Sequence, residues 1–101
     1  MNVSILEAAE EELLAASRHY LVEANQTIAA DFLQEFERSI DLLRKFPKMG
    51  VPHRAGVRKL PLRRFSYSIV YRETDVSLLV VALAHHSRRP SYWHSRIDTD
   101  R

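Results

Sequence analysis

The chain has no cysteine among its 101 residues. That excludes a disulfide framework, a thiolate metal site and a cysteine nucleophile, and it fits a reducing, cytoplasmic setting. Long apolar runs are missing too. The longest, residues 78–84, is far too short to span a bilayer, so no membrane partner is expected. The opening Met1-Asn2-Val3-Ser4-Ile5-Leu6-Glu7 has no basic region, so no secretion signal is expected. Glycine is scarce. Gly50 and Gly56 both fall in the stretch 47–56, together with Pro47 and Pro52. There is no internal repeat and no low-complexity segment. With 46% hydrophobic and 28% charged residues, the composition is that of one folded domain over residues 1–101.

Charge is present in abundance but unevenly placed. Residues 1–43 hold 9 Asp/Glu against Arg18 and Arg38, a balance of −7. Residues 44–101 hold 13 Lys/Arg against 4 Asp/Glu, a balance of +9. The formal net charge of +2 hides this split. So dipolar a domain points to an anionic counterpart: nucleic acid, an acidic protein, or both.

Residues 3–6 read as an opening strand, short and apolar with β-branched members. Helical spacing follows at Ala9, Leu13, Ala16, Tyr20 and Ala24, with Leu14 and Leu21 widening the stripe. Glu10, Glu11 and Glu12 suit the positive end of that helix dipole and read as a solvated helix start. Asn25 and Thr27 offer cap oxygens for a second helix, whose stripe is Ala29, Phe32, Leu33, Phe36, Ile40 and Leu43. Arg44 and Lys45 suit its end, and Pro47 stops it. So short a join predicts an antiparallel helix hairpin.

After the break at 47–56, three strands are expected, at 57–63, 65–73 and 76–84, run as an antiparallel meander. Pro61 marks an edge or a bulge in the first of them. The last is apolar on both faces and reads as central. The fold class is therefore α+β, in the order β-α-α-β-β-β. The helix hairpin packs on one face of a small, mainly antiparallel sheet, and a short C-terminal tail follows. Period two places Leu60, Leu62, Phe65, Tyr67, Ile69 and Tyr71 on the core face. It leaves Lys59, Arg63, Ser66, Ser68 and Arg72 on the other, too polar for core and the expected working surface. The tail leaves the central strand beside it.

The segments Val57-Arg58-Lys59-Leu60, Phe65-Ser66-Tyr67-Ser68-Ile69-Val70-Tyr71-Arg72 and Val81-Ala82-Leu83-Ala84-His85-His86-Ser87-Arg88-Arg89-Pro90-Ser91-Tyr92-Trp93 carry a family resemblance. With the helix ending in Phe46-Pro47-Lys48-Met49-Gly50, the chain resembles the RelE/ParE superfamily of type II toxin–antitoxin toxins. The run of His, Arg-Arg-Pro and Tyr-Trp looks more like the ParE branch, the plasmid stabilisation toxins. That branch implies poisoning of DNA gyrase and neutralisation by a cognate antitoxin, ParD-like or similar, in a hetero-oligomer. No cofactor is implied. The RelE branch implies ribosome-dependent cleavage of messenger RNA by Lys, Arg and Tyr side chains on the sheet face and tail. Carried over by position, Lys59 matches one such lysine. Pro61 stands where a second lysine would be, and Ser68 where a catalytic arginine would be. Those departures favour the ParE reading. A third reading is a toxin fold that keeps only antitoxin binding.

Two sets of site residues follow. As a ribonuclease the chain would use Lys59, Arg72, His85, Arg88, Arg89 and Tyr92, since RNA cleavage needs an acid, a base and cations for the phosphate. Neighbouring strand residues point to opposite faces, so His85 and His86 are not expected to act together. As a binding protein it would present Lys59, Arg63, Arg72, His86, Arg88, Arg89 and Trp93 to its target or antitoxin. For Trp93, packing over the open end of the core competes with that role. No metal site is expected, because His85, His86 and His94 have no acid or thiol at ligand spacing. His53 reads as a solvated loop residue.

Overall fold

Strand β1 (Asn2–Ile5) lies at one edge of a five-stranded sheet and runs parallel to β5 (Ser77–His85), with Val3 opposite Leu78 and Ile5 opposite Val80. The computed structural model describes residues 1–98. Helices α1 (Glu7–Glu23) and α2 (Gln26–Lys45) follow β1. Then come β2 (Val51–Pro52), a 3-10 turn at Arg54–Gly56, β3 (Arg58–Pro61), β4 (Tyr67–Glu73), β5 and a short α3 (Ser95–Asp98). The sheet order is β1-β5-β4-β3-β2, antiparallel except for the β1–β5 pair. The expected order, helix hairpin and meander are all present. β2 is an added edge piece, paired only through Val51–Lys59 and Pro52–Arg58. Beyond it Pro61 lies on the open edge, where its missing N–H costs no ladder bond.

The hairpin turns at Asn25, whose side chain accepts the Ile28 N–H at 2.9 Å and caps α2. Phe32, Phe36, Ile40 and Leu43 from α2 meet Leu62, Phe65, Ile69, Tyr71, Leu78, Val80 and Leu83 from the sheet side. Tyr20, Phe32, Phe65 and Tyr67 form an aromatic knot, with ring centroids 5.1–5.4 Å apart in the closest pairs. Leu14 and Leu21 do not widen the buried stripe of α1. They are 53% and 51% exposed. The face that packs is the narrower one carrying Ala9, Leu13, Ala16 and Tyr20.

The loop after α2 is pinned by one side chain. The Tyr71 hydroxyl donates to the Pro47 carbonyl at 2.6 Å and accepts the Gly50 N–H at 2.9 Å. Gly50 is required by this approach, because a Cβ there would lie 2.8 Å from the Tyr71 ring and hydroxyl.

The opposite sheet face departs from expectation. It is not a bare polar surface but carries a second apolar cluster of Val57, Val70, Val81, Ala82, Ala84, Trp93 and Ile97. A register shift between Val70 and Tyr71 supplies part of it. Val70 faces Ala82 and Tyr71 faces Val80, so Val81 is an extra residue and joins Ala82 on the same face. A strand apolar on both faces needs cover on both. The tail provides it, through Trp93 and Ile97.

Candidate functional site

The tail is built as a continuation of the sheet that folds back. The His86 N–H still donates to the Ser66 carbonyl at 2.8 Å, and the Arg88 N–H then turns back to the His85 carbonyl at 3.0 Å. Ser91 takes a left-handed backbone, φ 64°, and short-range bonds carry the chain through Trp93 into α3.

The two histidines diverge as the strand alternation requires. His85 meets the Tyr67 ring edge-on at 4.9 Å, and its Nδ1 accepts the Ser87 N–H at 3.0 Å. The proton of the neutral ring is thereby directed to Nε2. His86 sits on the other face, with Nε2 3.0 Å from Ser68 Oγ. Ser68 itself is only 4% exposed, roofed by this contact.

What holds the tail down is Glu12. Its carboxylate accepts the Tyr92 hydroxyl at 2.6 Å, Arg96 Nη1 at 2.9 Å, Arg96 Nη2 at 3.0 Å and the Leu83 N–H at 3.1 Å. Arg88 approaches it at 4.0 Å, and the Arg88 guanidinium lies over the Tyr92 ring, 3.8 Å from its centroid. Arg96 also donates to the Val81 carbonyl at 3.1 Å. The reason is geometric. β1 pairs with β5 only as far as Val80, so the β5 edge beyond it presents Val81 C=O and Leu83 N–H without a strand partner. Arg96 and Glu12 fill those two positions.

The electrostatics match. Burial pushes the Glu12 carboxyl up, but the bonds from Arg96, Tyr92 and Leu83 more than offset it, holding the group below the usual carboxylate range. Burial, then the adjacent Glu12 carboxylate, push the Tyr92 phenol well above its ordinary value. Its proton stays on the oxygen that donates to Glu12. The reading of residues 10–12 as a solvated helix start fails at Glu12. Helical spacing puts Glu12 four before Ala16, beside the buried stripe, and that offset was its one local signal.

The binding residues expected from the sequence do not all gather. Lys59 on β3 shares a pit of about 90 Å³ with His85, His86, Arg88, Arg89, Tyr92 and Trp93. Arg63 belongs elsewhere. Its N–H donates to Glu35 at 2.8 Å, and it lines a cleft on the α2 side with Arg38, Arg64 and Asp31. Arg72 sits opposite Leu79, whereas Tyr67 at the tail end sits opposite His85. Five residues of strand put Arg72 about 17 Å from that end. Trp93 is 1% exposed and packs in the second cluster beside His53, at a centroid distance of 5.8 Å, so its side chain is not offered at the surface. His53 is not simply solvated: its Nε2 is buried without a hydrogen-bond partner among the described residues. Burial first, then the charges of Lys59 and Arg54, lower its proton affinity.

A second concavity lies across the molecule. Val3, Ile5, Leu13, Leu33, Phe36 and Ile40 line a groove of about 470 Å³ beside the outer edge of β1, rimmed by Glu37, Asp41 and Arg44. Among the described residues no three His, Cys, Asp or Glu side chains stand together as metal ligands. No helix among them is long and apolar enough to cross a membrane.

Known proteins share this architecture. The family model of the ParE toxin of type II toxin–antitoxin system, parDE, matches residues 3–90. A solved chain of the chromosomal ParDE TA system from P. aeruginosa superposes with a TM-score of 0.74 at 23% identity, covering 84% of this chain and 95% of that one. The isolated E. coli RelE toxin superposes with a TM-score of 0.60 at 16% identity, covering 97% of each chain. No curated protein matches the sequence at a significant level. With the family model spanning most of its length, and a helix hairpin on a mixed five-stranded sheet in the shared order, the chain belongs to the ParE toxin family of type II toxin–antitoxin systems.

Proposed function

We propose that this toxin acts by binding rather than by catalysis, that DNA gyrase is its target, and that a cognate antitoxin neutralises it. The observation that carries the non-catalytic reading is the engagement of the side chains a ribonuclease would need as acid and base. Arg72 lies about 17 Å along β4 from the tail end of the sheet, and His85 faces away from His86. The Tyr92 hydroxyl is committed to Glu12, and Ser68 is covered. The cations gather at the tail pit, but the groups there that could serve as acid and base are engaged, Tyr92 with Glu12, His86 with Ser68 and His85 with Ser87, which leaves no paired acid and base for cleavage. Membership of the ParE family supports gyrase as the target.

For the antitoxin, two features support a docking site. β1 has an outer edge without a strand neighbour among the described residues, and the apolar groove runs beside it. A partner segment that adds a strand and lays an apolar helix face into the groove suits both.

The deciding experiment uses purified toxin, freed from its antitoxin by denaturation and refolded. Inhibition of gyrase supercoiling with accumulation of cleaved DNA, and intact translated messages, is the expected result. Codon-specific cuts in messages with supercoiling untouched would overturn it and move Lys59, Arg88 and Arg89 into catalytic roles.

A further inference from the structure

The pit at the start of the tail has an unusual inventory. Its lining includes Lys59, His86, Arg88 and Arg89 but no carboxylate. Arg88 is occupied with the Tyr92 ring and Glu12. Lys59 and Arg89 make no side-chain hydrogen bond or ion pair with any described residue. Every other arginine from Arg38 to Arg96 that meets an acid does so outside this pit: Arg38 with Glu35, Arg44 with Asp41, Arg58 with Glu73, Arg64 with Asp31, Arg96 with Glu12. The floor is rigid, being Ala84 of β5 and the buried Trp93. A guanidinium fork and an ammonium point charge over a closed floor of about 90 Å³ form a receptor for one compact anion.

We infer that this pit binds a backbone phosphate of double-stranded DNA. Two features select a phosphodiester over a carboxylate on a peptide. The features that suit a peptide, an open strand edge and an apolar groove, lie across the sheet at β1, with β4 and β5 between β1 and β3. The remaining charged side chain lining the pit, Arg88, is also a cation, so a polyanion is met there by positive charge. No aromatic face is free for stacking a base, since Tyr92 lies under Arg88 and Trp93 is buried. Recognition is therefore of backbone and not of sequence. The inference rests on the binding reading of the tail, and it gives the toxin its own hold on the DNA that gyrase carries.

The test is titration of a labelled 20-base-pair duplex of arbitrary sequence with the refolded full-length toxin, read by fluorescence anisotropy across a salt series. One phosphate held by the pit predicts a plot of log affinity against log salt with slope about −1; Lys59→Gln or Arg89→Gln should each weaken binding at low salt, and the double variant should lose the slope. Arg44→Gln, an equal loss of charge on α2, should leave the slope unchanged. The emission of Trp93 confirms that each variant is folded. Absence of duplex binding at low salt overturns the proposal. So does binding that is indifferent to the Lys59→Gln, Arg89→Gln double variant, or polyglutamate binding that needs Lys59 and Arg89 while duplex binding does not. Supercoiling assays on the same variants keep the two readings apart. Duplex binding without inhibition of gyrase fails the target and leaves the phosphate site. Inhibition without duplex binding does the reverse.

Discussion

The Tyr92 hydroxyl donates to the Glu12 carboxylate at 2.6 Å across 80 positions of sequence. Arg96, 84 positions away, grips the same carboxylate through both terminal nitrogens. Glu12 thus joins α1, the edge of β5 and the tail, and holds Trp93 and Ile97 on the second cluster.

Glu12→Ala should open this clasp. Arg96 and Tyr92 would lose their acceptor in a half-buried setting, at a cost of roughly 2 kcal/mol. Trp93, the only tryptophan, reports the change directly. Acrylamide should quench its emission in the variant far better than in the parent, and the urea midpoint should fall. An unchanged quenching constant would mean that the tail is held by packing alone.

Acid should act on the same contact. The folded Glu12 carboxyl titrates below its ordinary value, and so does Glu35, through its hydrogen bonds from Arg38. A lowered folded value contributes stability that is complete above the unfolded carboxylate value, near 4.5, and is lost as pH falls through the folded one. Urea midpoints measured downward from pH 6 should hold until about that value and then decline. In Glu12→Gln the decline should be shallower, leaving only the Glu35 share.

The tail arginines should separate from Trp93 in kind. Arg89→Ala removes an exposed, unpartnered side chain and should change stability by no more than about 0.5 kcal/mol while abolishing toxicity. Arg88→Ala loses its place over the Tyr92 ring and should cost about 1 kcal/mol. Trp93→Ala empties a fully buried site and should cost on the order of 3–5 kcal/mol. Denaturation curves beside growth assays in cells lacking the antitoxin test all three. Toxicity retained by folded Arg89→Ala would remove that residue from the working surface.

Gly50→Ala should also destabilise, because its Cβ meets a buried ring that cannot withdraw. A loss of about 1–3 kcal/mol is expected. Pairing it with Tyr71→Phe makes the origin visible. Phe lacks the hydroxyl that Gly50 and Pro47 use, so the two losses should fall short of adding.

The element order was legible because its signals are local. Helical spacing at Phe32, Phe36, Ile40 and Leu43, alternation at Tyr67, Ile69 and Tyr71, and the break at Pro47 all act within a few residues. The site was less legible because its contacts are not local. Glu12 looked like any carboxylate in the first turns of a helix, since its partners lie beyond residue 80. Strand alternation counted Val81 as one step, while the bulge puts Val81 and Ala82 on one face, and no residue in that run marks it. Arg63 follows the same alternation on paper, but the turn after Pro61, with Arg64 at φ 71°, carries it round to α2. For Leu14 and Leu21 the pattern offered two faces of α1, and only packing chose between them.

The pairing of β1 with β5 has a consequence for timing. Asn2 is made 75 positions ahead of its partner Ser77. At about 5–20 residues per second, several seconds separate the two. During that interval the first strand has no sheet edge to join, because its one strand neighbour among the described residues does not yet exist. The clasp comes later still, when Arg96 emerges. A nascent chain halted before the last strand has neither the closed sheet nor the clasped tail, so both form only once β5 and Arg96 have been made.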